Sequence, residues 1–128
     1  MKKIFIIAFA VTILISVLGA VQIMMPKTEA FSQIVRQMGY DDVSENPYEV
    51  VEFTIPEKFN AVYERYNLLQ KEGGYDLSNY KGKKCKRYTY LIPSQNARAN
   101  IIVHNGEIIG GDISGITLDG IMKPLIRR

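Results

Sequence analysis

The most apolar stretch of the chain runs from Ile4 to Met25 and holds twenty-two residues without a charged side chain. At 1.5 Å per residue, a helix of this length spans about 33 Å, close to the thickness of about 30 Å of a bilayer's hydrocarbon core. Lys2 and Lys3 precede the run. By the positive-inside rule, we expect a single-pass transmembrane helix whose N-terminus faces the cytoplasm.

A cleaved secretory signal is the alternative for the same segment, because small residues offer cleavage sites after Gly19 or Ala20. The apolar core of such a signal is usually about 7–15 residues long, and this run is longer. Residues 1–26 are therefore expected to be an anchor or a signal. Residues 27–128 are expected to form one extracytoplasmic domain at the cell membrane.

Apolar periodicity within this domain predicts two helices. Apolar residues recur at i, i+3, i+4 and i+7 from Phe31 to Met38, and Gly39 follows as a stop. A second helix is predicted from about Glu57 to Glu72, with Pro56 suited to its first turn and Gly73-Gly74 ending it. Its expected apolar stripe comprises Phe59, Val62, Tyr63, Tyr66 and Leu69.

Alternating apolar and polar residues predict strands. The predicted strands are about Tyr48–Ile55, Lys84–Ile92, Ala99–His104 and Glu107–Ile113. Asn105-Gly106 is the signal of a type I′ hairpin turn, so the last three strands are expected to form an antiparallel meander. The Gly110-Gly111 pair predicts a bulge or the close approach of a helix.

The order of these elements predicts an α+β fold, in which a small antiparallel sheet of about four strands carries two helices packed on one face. Thr117–Leu125 are expected to add a short C-terminal helical turn.

Nine short motifs follow one another in order along the domain. They are Ile55-Pro56-Glu57-Lys58-Phe59, Val62-Tyr63-Glu64, Tyr66-Asn67-Leu68-Leu69-Gln70, Tyr75-Asp76-Leu77-Ser78, Tyr80-Lys81-Gly82-Lys83, Arg87-Tyr88-Thr89-Tyr90, Arg98-Ala99-Asn100, Ile109-Gly110-Gly111-Asp112 and Leu118-Asp119-Gly120. In these motifs the chain resembles the family of domains of unknown function numbered 4830, found in short membrane-anchored proteins of Gram-positive bacteria. The resemblance implies an exported bacterial domain and supplies no activity, ligand or catalytic residue.

Charge and cysteine content narrow the classes of partner. The chain has 16 Lys and Arg against 13 Asp and Glu, and two of the lysines precede the apolar run. The domain itself is nearly neutral, which argues against a nucleic-acid partner. Cys85 is the only cysteine, so neither an intrachain disulfide nor a cysteine-based zinc site can form. No cofactor is expected.

A basic cluster is the one candidate contact site. Its five cations within seven residues are Lys81, Lys83, Lys84, Lys86 and Arg87. Outside a bacterial membrane, such a cluster can dock on anionic lipid headgroups or wall polymers. The alternative is a solvated strand end that discourages edge pairing, with the cations neutralised internally by acidic residues. Those acidic residues are Asp41, Asp42, Glu45, Glu49 and Glu52.

Two residue combinations could suggest nucleophilic catalysis. A thiolate at Cys85 needs an imidazole such as that of His104. If a five-residue loop pairs Ile92 with Arg98, His104 lies opposite Lys86 and on the other face from Cys85, and a one-residue slip reverses this.

Ser114, His104 and Asp112 have the residue types of a hydrolase triad, but no glycine-flanked nucleophile elbow surrounds the serine. Asp112 and Asp119 could be paired carboxylates for acid–base or metal chemistry. They are expected instead to stabilise the turns beside Gly111 and Gly120. We therefore predict no catalytic and no metal-binding residue.

Together these observations predict a membrane-anchored extracytoplasmic binding or interaction domain. Its partner is expected to be another envelope protein, an anionic lipid or a wall polymer. Two alternatives remain, a structural subunit of an envelope complex and an envelope-associated enzyme or catalytic accessory.

Overall fold

The structure is a computed structural model that describes residues 30–116 and 121–128. Residues 30–37 form helix α1. The elements that follow are β1 (Glu49–Thr54), α2 (Ala61–Glu72), β2 (Lys84–Ile92), β3 (Ala97–His104), β4 (Glu107–Gly115) and β5 (Met122–Pro124). Short 3-10 helices at Leu77–Tyr80 and Pro93–Gln95 lie before β2 and after it. The expected α+β class is confirmed.

The expected membrane span, Ile4–Met25, lies outside the described residues, as do the expected cleavage positions. Within residues 30–116 and 121–128, no helix combines the length and the apolar character needed to cross a membrane.

The five strands form one antiparallel sheet in the order in which they occur along the chain. The meander of the last three predicted strands is confirmed. The expected helical turn at the C-terminus is wrong, because Met122–Pro124 pair with Asp112–Ser114 as a fifth strand. Pro124 has no amide hydrogen, and it fits here because an edge strand needs donors on one side only.

Helix α1 packs on one face of the sheet. Its Phe31 ring centroid lies 5.0 Å from that of Tyr88. Phe31, Ile34 and Val35 share a buried cluster with alternate residues of β2 and β3, namely Tyr90, Ile92, Ala97, Ala99, Ile101 and Val103. We call this surface the α1 face.

Helix α2 packs on the opposite surface, the α2 face, where Tyr63 and Tyr66 cluster with Ile102. The expectation that both helices share one face is therefore wrong. The reason lies in β3, where the consecutive residues Ile101, Ile102 and Val103 are all buried. Such a strand is apolar on both faces, and each face needs its own cover.

Helix α1 ends before Gly39, as predicted, and Gly39 has a φ of 101°. The Gly39 amide donates to Arg36 O at 2.8 Å and the Tyr40 amide to Val35 O at 3.4 Å. This pair of bonds is the Schellman pattern, in which a glycine takes the left-handed position.

Helix α2 begins at Ala61, four residues later than expected from Pro56. The Asn60 side chain caps it by accepting the Tyr63 amide at 2.9 Å, and this cap sets the start. The expected apolar stripe is also partly wrong, since Val62 is 70% exposed and the buried residues of the helix are Asn67 and Gln70.

The prediction for Gly110-Gly111 is confirmed on both counts. The β3–β4 register shifts between Ile102 and Val103, which marks a bulge. A Cβ atom on Gly110 would lie 2.7 Å from Gln70 Oε1 of α2, and the Gly111 amide donates to that same oxygen at 2.7 Å. The missing side chain lets α2 approach the sheet.

Candidate functional site

A row of polar side chains crosses the α2 face. Thr89 on β2 lies opposite Asn100 on β3, which lies opposite Asp112 on β4. Thr89 Oγ1 donates to Asn100 Oδ1 at 2.8 Å, and Asn100 Nδ2 donates to Asp112 Oδ1 at 3.0 Å. The row therefore ends on the carboxylate of Asp112, which is only 3% exposed.

Asp112 receives two further hydrogen bonds. The Tyr66 hydroxyl of α2 donates to its Oδ2 at 2.5 Å, and Ser114 Oγ donates to its Oδ1. Burial and the neighbouring Asp112 carboxylate raise the pKa of Tyr66 far above its usual value, so this phenol keeps its proton and stays a donor. Three donors thus satisfy the buried carboxylate, as buried charge requires.

A cavity of about 450 Å³ opens beside this network, between α2 and the sheet. We call it the apolar groove. Its polar lining residues are Tyr66, Arg87, Asn100 and Asp112. Its other lining residues are Phe53, Val62, Tyr63, Leu77, Ile102 and Met122.

A second cavity, of about 330 Å³, is lined by Tyr48, Glu49, Arg87, Thr89, Arg98, Asn100, Ser114, Gly115 and Ile116. We call it the arginine pocket. Arg87 Nη2 lies 3.7 Å from Glu49 Oε1, with both side chains about half exposed. The Arg98 Cζ lies 5.8 Å from the Tyr48 ring centroid. Arg87 and Asn100 line both cavities, so the two cavities adjoin.

The predicted basic cluster is exposed, but it does not form one surface. Lys86 lies opposite Val103 of the α1-face cluster, whereas Arg87 lies opposite Ile102 of the α2-face cluster. Lys81 instead places its Nζ 4.7 Å from the Phe59 ring centroid. Of the five cations, only Arg87 lines the two cavities.

The structure also bears on the two other roles considered for the cluster, protection of a sheet edge and neutralisation by internal acidic residues. Strand β2 lies between β1 and β3, so its cations protect no sheet edge. Of the five acidic residues, Glu49 alone makes an ion pair within the part of the chain that the structure describes. Asp42 accepts hydrogen bonds from the Ser94 amide and hydroxyl instead, at 2.7 and 2.8 Å.

Cys85 and His104 form no thiol–imidazole pair. Ile92 pairs with Ala97 and not with Arg98, so the register differs by one residue from the expected one. In this register Cys85 and His104 lie on the same face of the sheet, the α2 face. Cys85 is 4% exposed, its Sγ contacts Lys83 O at 3.6 Å, and burial raises the pKa of the thiol. His104 Nδ1 lies 2.9 Å from Lys84 O.

The hydrolase combination does not assemble either. Ser114 pairs with Arg98, whereas His104 pairs with Glu107 at the other end of the β3–β4 hairpin. The expected turn-stabilising role of Asp112 is wrong, because its carboxylate is the acceptor of the buried network. Asp119 lies outside the described residues. Within residues 30–116 and 121–128, no three His, Cys, Asp or Glu side chains are grouped as a metal site.

Residues 34–113 match the model of a protein family described as a domain of unknown function, DUF4830. The chain belongs to this family. The match covers more than half of the sequence and confirms the resemblance carried by the motifs. In this DUF4830 domain, the matched residues include Tyr66, Thr89, Asn100 and Asp112, so these four members of the polar network lie within the matched segment. Comparisons with curated proteins and with solved structures found no match.

Proposed function

We propose that this DUF4830 domain is a binding module, and that the apolar groove together with the arginine pocket is its ligand site. The observation that carries the proposal is the convergence of Tyr66, Thr89, Asn100 and Asp112, from one helix and three strands, beside an open cavity. A fully satisfied buried network holds its surroundings rigid. Both cavities also fall within the range of about 300–1,000 Å³ that is common for ligand sites.

The chemistry of the network supports binding rather than turnover. A catalytic acid or base must reach the substrate proton. Asp112 is nearly without solvent contact, and its oxygens already accept from three donors. Its role in this proposal is to fix Tyr66 and Asn100, whose side chains line the apolar groove.

The domain is proposed to act at the outer surface of a cell membrane, tethered through residues 1–26. The feature that supports this placement is the apolar run after Lys2 and Lys3. Helix α1, the first described element after this run, packs on one face of the sheet, and the apolar groove opens on the other. The exposed lysines of the basic cluster are proposed to add electrostatic attraction to anionic lipid or wall polymer.

Photo-crosslinking in living cells tests the ligand site without assuming a ligand. Val62 and Leu68 lie on the same helix and are 70% and 61% exposed, but only Val62 lines the apolar groove. Each is replaced by p-benzoylphenylalanine in the full-length chain, and the irradiated protein is analysed by mass spectrometry. We expect an adduct of defined mass at position 62 and none at position 68. Equal labelling at both positions, or none at position 62, would refute the groove as a ligand site.

The membrane topology has its own test. Leu68→Cys places an exposed thiol on α2, whereas the native Cys85 is buried and serves as the control. In intact cells, a membrane-impermeant maleimide is expected to label the Leu68→Cys chain and leave the native chain unlabelled. If labelling requires cell lysis, the extracytoplasmic placement is wrong.

A further inference from the structure

We infer that the ligand of this site is an anionic amphiphile, a lipid-like molecule with one negatively charged headgroup and a hydrocarbon chain. The headgroup lies in the arginine pocket between Arg87 and Arg98, and the chain lies in the apolar groove beneath α2. This inference rests on the proposed function and names the chemical class of its ligand.

The arginine pocket is suited to an anion. Arg87 and Arg98 stand on neighbouring strands, and the paired residues Thr89 and Asn100 lie between them in the register. Guanidinium groups bind carboxylate and phosphate through two parallel hydrogen bonds. Two guanidiniums also match the two charges that a phosphate monoester can carry.

Neither arginine makes a strong ion pair with another described residue. Arg98 makes no ion pair with any residue in the described ranges, and it lies over the Tyr48 ring. Arg87 reaches Glu49 at 3.7 Å with both side chains about half exposed, a contact that contributes little and that an incoming anion can displace.

The negative charge of Asp112 does not oppose an anion here. Asn100 and Ser114 both line the arginine pocket and both donate to Asp112, while Asp112 itself does not line this pocket. The two donors therefore stand between the carboxylate and the proposed headgroup position.

The apolar groove supplies the second half of the site. Val62 is 70% and Met122 46% exposed, so large apolar side chains from α2 and β5 stand in water around it. Exposed apolar patches bordered by polar groups mark ligand or lipid contacts. Because Arg87 and Asn100 line both cavities, a chain can leave a headgroup held by Arg87 and enter this groove directly.

Only an anionic amphiphile uses both halves. Inorganic phosphate engages the arginine pocket alone, and a cationic amphiphile of the same chain meets two like charges. These differences define the probes for the test.

Photoaffinity labelling of the full-length protein in phosphatidylcholine nanodiscs tests this inference. The probe is dodecyl phosphate with a diazirine near the chain end, and the matched probes carry a hydroxyl or a trimethylammonium head. Trypsin cleaves after Lys58 and Arg65, so labelling in the apolar groove is read on the peptide 59–65, which contains Val62 and Tyr63. We expect the phosphate probe to label this peptide about tenfold more than either matched probe. Dodecyl phosphate should compete with the probe, and inorganic phosphate at the same concentration should compete far less, because it contacts the arginine pocket alone.

Two double variants separate the site from general attraction to positive charge. Arg87→Gln with Arg98→Gln should reduce labelling about tenfold. Lys84→Gln with Lys86→Gln removes the same charge from neighbouring exposed positions outside both cavities, and should leave labelling within about twofold. All four residues are exposed, and circular dichroism checks that both variants fold. If the variant with Arg87→Gln and Arg98→Gln does not fold, the test is repeated with Arg98→Gln alone.

Equal labelling by the three probes, or equal losses in the two double variants, would overturn the inference. An adduct at position 62 in cells that proves to be a protein or a polar molecule would also overturn it, while leaving the binding site in place. Failure to form any adduct in cells would instead remove the proposed function itself.

Discussion

Among the residues that the structure describes, the carboxylate of Asp112 makes no ion pair and accepts hydrogen bonds from three neutral donors. Tyr66 is the donor that α2 supplies, through a hydrogen bond of 2.5 Å. This bond ties the helix to the centre of the sheet, and hydrogen bonds to charged groups contribute more than neutral ones.

Tyr66→Phe removes that donor and is expected to lower the free energy of unfolding by about 1.5–3 kcal/mol in urea denaturation. Tyr63→Phe is the matched control, because Tyr63 lies on the same helix and lines the same groove, with no side-chain hydrogen bond to another described residue. Its effect should stay within about 0.5 kcal/mol. Equal effects of the two substitutions would contradict the role given to the Tyr66 hydroxyl.

Asp76 gives the domain a sensitivity to acid. Hydrogen bonds from Ser78 and Asn67 hold the pKa of Asp76 at about 2, below the ordinary value of 3.8. The folded state therefore prefers the charged form, so this stabilisation is present above about pH 4 and is lost as the pH falls toward about 2. The urea midpoint should fall more steeply over this range in the native chain than in Asp76→Asn. Parallel curves would show that Asp76 is not responsible.

The polar row could not be foreseen from the sequence, although each of its residues is visible there. Thr89, Asn100 and Asp112 meet only in one strand register, and a slip of one residue moves a side chain to the other face. The register expected from a five-residue loop pairs Asn100 with Tyr90 instead of Thr89. Asn96, in the left-handed conformation at φ 48°, follows the Pro93–Gln95 turn and shortens the loop to four residues.

At the scale of elements, the contact between α2 and β4 leaves no room for a side chain at Gly110. Gly110→Ala would bring a Cβ atom to 2.7 Å from Gln70 Oε1 and 3.1 Å from Leu77 Cδ2. We expect it to cost about 1–3 kcal/mol of unfolding free energy, because the helix must move outward.

A double-mutant cycle with Gln70→Ala isolates this contact. In the Gln70→Ala background, the cost of Gly110→Ala should be smaller by at least about 0.5 kcal/mol, since the nearest opposing atom is gone. Strict additivity in the cycle would show that the clash with Gln70 does not limit the helix position.

The sequence predicts that most of the helices and strands exist, but it predicts less well where each one begins and ends and which face of the sheet each helix covers. Glycines locate the end of α1 and the bulge of β4, because few other residues fit those positions. The start of α2 depends on the side chain of Asn60, whereas Pro56 is equally compatible with a loop. The sequence does indicate that β3 is buried on both faces, because Ile101, Ile102 and Val103 are consecutive apolar residues. A strand covered on one face only alternates apolar and polar residues.

For the whole molecule, the sheet order implies uneven local stability. Strand β3 has a partner on each side, while β5 has three residues and one partner. Hydrogen exchange should be slowest at Ala99 and Ile101 and faster at Met122 and Lys123, by about a hundredfold or more. Comparable protection of β3 and β5 would mean that the edge strand unfolds only with the rest of the domain.

The sequential order of the strands also sets the timing of folding. Each strand pairs with its neighbour along the chain, so β2, β3 and β4 can zip together through local turns, which favours rapid folding. Helix α1 is the exception, because Val35 shares its core cluster with Ile101, 66 residues later in the chain. At ribosomal speeds of roughly 5–20 residues per second, α1 waits about 3–13 s for its partner strand to be made. During that interval the apolar residues of α1 have no sheet to pack on, so this helix is a segment of the nascent chain that a chaperone would protect.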